Sequence, residues 1–148
     1  MTKKLLYFWW GFLSDKIDPN DVTKDISSPC GDWSYLWSVF QEFQKRGWET
    51  YGVIDRDKEI VNKYGKNAFA SFSEEKRFKV YNNLKWVDLN DLPTIDLLII
   101  QNRFPTKDNS LPKNHPNYSP DLEIQEKLLN HYNNKTKIVL WDLDFQLT

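Results

Sequence analysis

At 148 residues, with 40% hydrophobic and 28% charged side chains, the chain has the size and composition of one folded domain rather than a disordered tail. Aromatics reach 16%, with seven Trp, so several large side chains must be buried or gathered on a surface. Twenty basic residues against twenty-one acidic ones leave a net charge of −1, which removes the overall positive excess that drives binding to a polyanion but leaves a local basic face open.

The first element in chain order is Leu5 to Trp10 (LLYFWW), an apolar run bounded by Lys3-Lys4 and Gly11. A continuous run of this length suits a strand buried on both faces of a parallel sheet. It falls far short of the ~18–20 residues of a membrane span, and aromatics with no small-residue cleavage site argue against a secretory leader. The segment that follows, GFLSDKIDPNDVTKDISSPCG, is polar and reads as a long loop of the kind usually kept for function. It holds the only cysteine, Cys30, which excludes an internal disulfide and a Cys-rich zinc site and fits a reducing, cytoplasmic setting.

Trp33, Leu36, Trp37, Phe40 and Phe43 then fall on one face of a helix, with Gly31 or Asp32 as its cap and Lys45-Arg46-Gly47 as its stop. Trp48 to Ile54 reads as a second strand, and Asp57 to Tyr64 as a short helix ended at Gly65. Between Lys66 and Leu92 we expect a helix and an edge strand near Phe78 to Tyr81. Ile95 to Gln101 (IDLLIIQ) is the clearest buried strand, and a second long polar loop, Asn102 to Tyr118, follows it. Ser119-Pro120-Asp121 opens a helix with a capping hydroxyl, a first-turn proline and a carboxylate, and Leu122, Leu128, Leu129 and Tyr132 form its apolar face. Lys137 to Trp141 is the last strand. This alternation predicts an α/β, Rossmann-like parallel sheet of about five strands flanked by helices, in one domain spanning 1–148.

In such a sheet ligands bind at the carboxyl ends of the strands, where the strand order reverses. With the order 3-2-1-4-5, that crevice lies between the first strand and the Ile95–Gln101 strand, the two strands that lead into the longest loops. The residues expected to face it are Gly11, Ser14, Asp15, Gly31, Asp32, Gln101, Asn102 and Arg103. A helix opening at Asp32 would aim free N–H groups into the crevice, favouring an anionic or hydroxyl-rich ligand, and Arg103 could clamp a phosphate or carboxylate; capping alone and surface exposure alone are the plainer readings of the same residues. Only Gly11 follows the first strand, so the glycine-rich turn of a dinucleotide site is missing even though Asp55 would suit a ribose hydroxyl. His115 and His131 lie sixteen residues apart without ligand spacing. No metal and no cofactor are expected.

Two family resemblances attach to particular residues. VLWDLDFQLT resembles the first motif of haloacid-dehalogenase-type phosphatases, which implies Asp142 as nucleophile and Asp144 as acid and base; Gln146 stands at the threonine position, and no partner motif follows. More extensively, the first strand, the long loop, Gly-Asp-Trp at 31–33, Arg-Gly-Trp-Glu-Thr-Tyr-Gly-Val at 46–53, IDLLIIQNR and KIVLWDLD together resemble the N-terminal domain of GT-B-type glycosyltransferases. The similarity is greatest to those carried by large bacteriophages. Gly31 stands alone where a Gly-Gly pair is usual, and Trp48 stands where His is usual.

This second resemblance implies the acceptor side of a cleft for sugar transfer from a nucleotide-sugar. It implies Asp32 or Asp15 as the base for the acceptor hydroxyl, Arg103 beside the leaving diphosphate, and Gly11, Ser14, Gly31, Trp33, Gln101, Asn102, Asp142 and Asp144 along the cleft. The donor-binding C-terminal domain of the family is missing from the sequence, so the nucleotide-sugar is expected to bind only with a second domain or a separate C-terminal half, and the chain alone is expected to be inactive. The competing expectation is a non-enzymatic α/β binding or interaction domain.

Overall fold

The computed structural model describes residues 1–8, 34–53, 58, 61–62, 65, 79–101, 110–112, 115 and 121–141. Its elements are β1 (Lys4–Phe8), α1 (Ser34–Lys45), β2 (Glu49–Gly52), β3 (Lys85–Trp86), β4 (Leu97–Gln101), α2 (Asp121–Tyr132) and β5 (Lys137–Trp141). The five strands form one sheet in the order β3-β2-β1-β4-β5. Every pairing is parallel. The expected α/β class and Rossmann-like strand order are therefore present.

β1 is the middle strand, and Leu5, Leu6, Tyr7 and Phe8 are all fully buried. A parallel strand covered on both faces needs apolar side chains at every position, which explains why LLYF runs without alternation. Registers fix which residues share a face. Leu5 lies beside Leu97 and Thr50, Leu97 beside Lys137, and Tyr7 beside Ile99, which in turn lies beside Val139. α1 covers this face over β1 and β2: Phe40 packs on Tyr7 at 5.2 Å between ring centroids, and Gln44 Nε2 donates to Thr50 Oγ1 at 2.9 Å. The same Gln44 group donates to the Val80 carbonyl at 3.0 Å, joining α1 to the helical segment 79–82. Right-handed crossovers that move outward in opposite directions from β1 and β4 place α1 and α2 on opposite faces.

Both helices end on a left-handed residue. Gly47 has φ +75°, its N–H donates to the Gln44 carbonyl and that of Trp48 to the Phe43 carbonyl, and the Trp48 and Phe43 rings meet edge to face at 4.9 Å. That is the paired-bond glycine stop, complete with its apolar contact. After α2 the left-handed residue is Asn134, at φ 60°, and there the Lys135 N–H donates to the Tyr132 carbonyl.

The structure differs from expectation at the edge strand and on one face of α2. The edge strand is Lys85–Trp86, and residues 79–82 are helical rather than extended. Val80 and Tyr81 are adjacent and both buried, which fits either state locally; packing under Gln44 decides for helix. On α2, Gln125 is fully buried beside the expected Leu122, Leu128 and Tyr132, while Leu129 is only half-buried. β5 lies at the sheet edge, so Val139 and Leu140, on opposite faces, are each 46% exposed despite the apolar run.

Candidate functional site

The sheet order reverses between β1 and β4. Chain direction passes outward from β1 through β2 to β3 on one side, and from β4 to β5 on the other. This is the topological switch point at which open α/β sheets bind ligands. Phe8 is in register with Ile100, so the chain leaves β1 at Phe8 and β4 at Gln101 on one rim of the sheet.

Of the residues expected along the cleft, Gln101 is the one the structure describes. It closes β4, pairs with Trp141 of β5, and is 1% exposed. A carboxamide at that depth carries a donor and an acceptor that must be satisfied inside the protein. Gly11, Ser14, Asp15, Gly31, Asp32, Trp33, Asn102, Arg103, Asp142 and Asp144 lie outside the described residues. So does the cap of the first helix, which is described from Ser34.

The structure adds two aromatic residues on the face of the sheet that Gln101 occupies. Gln101 shares its face of the sheet with Ile99, and therefore with Tyr7 and Trp141. The Tyr7 and Trp141 rings stack across β4 at 6.3 Å and 28°, and Tyr7 continues onto Phe40 of α1. Tyr7 and Gln101 are closed to solvent, whereas Trp141 is partly exposed, so Trp141 is the member of this group that can present an aromatic surface at the rim, with Tyr7 stacked behind it. Sequence reasoning passed over Tyr7 and Trp141 because each sits inside an apolar run. The signal was their parity relative to Gln101, which has meaning only once strand order and register are known.

Among the described residues, the perturbed ionisations lie away from this rim. Glu49 at the start of β2 bonds Lys85 Nζ at 2.6 Å and accepts from the Tyr51 hydroxyl. Its carboxyl is held below the usual range first by the Lys85 hydrogen bond and then by that of Tyr51. Tyr51 is pushed up to about 12 by burial and by Glu49. Tyr132, whose hydroxyl donates to the Pro93 carbonyl, is likewise pushed up to about 12, chiefly by burial. These groups sit at the opposite, amino-terminal end of the strands and hold the fold together there.

Among the described residues no helix is long and apolar enough to cross a membrane. No protein-family model, curated protein or solved structure matches the chain.

Proposed function

We propose that this domain forms the acceptor side of a cleft for sugar transfer from a nucleotide-sugar, the role implied by the resemblance to GT-B-type glycosyltransferases. The observation that carries the reading is the parallel pairing of β1 with β4 at the reversal of strand order, since these are the two strands that run on into the longest polar stretches of the sequence. Trp141, partly exposed at the end of β5 and stacked on the buried Tyr7, supplies an aromatic surface suited to a sugar ring, and Gln101 closes β4 beside it. Asp32 or Asp15 takes the proton of the acceptor hydroxyl, and Arg103 faces the leaving diphosphate. Trp33, Asp142 and Asp144 complete the cleft on this reading, together with Gly11, Ser14, Gly31 and Asn102.

The test is a titration of the 148-residue protein with acceptor-type mono- and oligosaccharides and with a panel of nucleotide-sugars, followed by backbone amide shifts and donor hydrolysis. Sugars should perturb Phe8, Gln101 and Trp141, and the isolated chain should hydrolyse no donor. Sugar-induced shifts confined to the opposite rim, around Trp48 and Lys135, would remove the cleft. Donor hydrolysis by the chain alone would overturn its assignment as the acceptor side only.

A further inference from the structure

On the face that α1 shares with β1 and β2, but beside α1 rather than beneath it, a cleft of about 830 Å³ opens at the amino-terminal rim. Its floor is apolar: Ile95, Leu97 and the Phe43–Trp48 ring pair. Val139 continues the apolar surface on the same face of β5, at 46% exposed. The rim is basic. Lys3, Lys135 and Lys137 are all exposed, and none makes an ion pair with a carboxylate among the described residues. Lys3 lies over the Trp48 ring at 5.4 Å. Asp96, the one acidic residue among the described residues that line the cleft, accepts the backbone N–H of Lys4.

We propose that this cleft is a docking site for an acidic amphipathic helix of a partner protein, with its apolar stripe on Leu97 and Val139 and its carboxylates toward Lys3, Lys135 and Lys137. Three observations select that occupant. A parallel sheet is normally covered by helices on both faces, yet on this one Val139 of β5 is 46% exposed and Leu97 of β4 is partly exposed. Two strands about 4.8 Å apart present roughly the width of one helix, about 10 Å across. Among the described residues the lysines have no carboxylate partner, so a segment with acidic flanks complements the rim and a basic one is repelled. A nucleic acid would satisfy the same charges but would leave the aliphatic floor facing a sugar-phosphate chain, and it fits less well. The site lies at the opposite rim from the sugar cleft and is independent of that assignment.

The test uses two synthetic amphipathic helices with the same leucine stripe, one flanked by glutamates and one by lysines, with single-stranded DNA as a third probe. Calorimetry on the 148-residue protein should show the glutamate peptide binding at least tenfold tighter than the lysine peptide, with binding weakened by salt. The Lys3→Glu, Lys135→Glu, Lys137→Glu triple variant, its fold checked by circular dichroism, should reverse that order. Amide shifts in the unaltered protein should cluster on Lys3, Trp48, Leu97 and Lys137, a readout that needs no variant to fold. Equal affinity for both peptides, shifts elsewhere, or DNA binding tighter than the glutamate peptide would each overturn the proposal.

Discussion

The Tyr132 hydroxyl donates to the Pro93 carbonyl oxygen at 2.7 Å, tying the last residue of α2 to the segment that feeds β4. Tyr132 is 2% exposed, so the carbonyl has little water to turn to if the hydroxyl is removed. Tyr132→Phe is expected to cost about 1–2 kcal/mol, read from the urea midpoint with an unchanged slope.

The same burial sets an alkaline limit on stability. Tyr51 and Tyr132 ionise near 12 in the folded protein against an ordinary value of 10. A raised folded value means that the neutral form is favoured by folding. The resulting stability is fully present below pH 10 and is lost as the pH climbs toward 12. Denaturation midpoints should therefore fall across that window, and tyrosinate absorbance should show a late-titrating fraction that shrinks in Tyr132→Phe.

Glu49 works in the other direction. Its carboxyl is depressed mainly by Lys85 and next by Tyr51, so its contribution is present above the ordinary carboxylate value of 4.5 and fades as the pH falls through the lowered value. Lys85→Ala should bring Glu49 back toward that ordinary value. The stability gap between the unaltered protein and the variant should close on acidification, and a gap independent of pH would refute this account.

Gly52 is a packing requirement. A Cβ there would meet the Trp86 ring at 2.9 and 3.0 Å and Leu84 Cδ1 at 3.1 Å, closer than carbon atoms sit without displacement. Gly52→Ala should destabilise by about 1–3 kcal/mol through overpacking. Adding Trp86→Leu should recover part of the loss, so that the two changes are non-additive in thermal melts.

Gly47 presents the contrasting case, because a Cβ there meets nothing within 4 Å while φ is +75°. Its cost is purely conformational. Gly47→Ala should lower stability by about 1 kcal/mol, and Gly47→Asn by less, since Asn tolerates the left-handed region.

Local chemistry made most of the architecture legible in the chain itself. The apolar runs of β1 and β4 mark strands covered on both faces, and Phe40 and Phe43 lie on the expected inner side of α1. The Gly47 stop was readable because a left-handed residue after a cationic turn is a local requirement. Order within the sheet, burial at its edge and side-chain neighbours across strands depend on contacts between distant segments. Lys137–Trp141 reads only as the last strand, and its place at the end of the sheet leaves Val139 and Leu140 exposed. The pairing of Tyr7 with Trp141 beside Gln101, and the three lysines around Leu97, likewise arise from register, because residues far apart in sequence meet only when neighbouring strands fix which side each one faces.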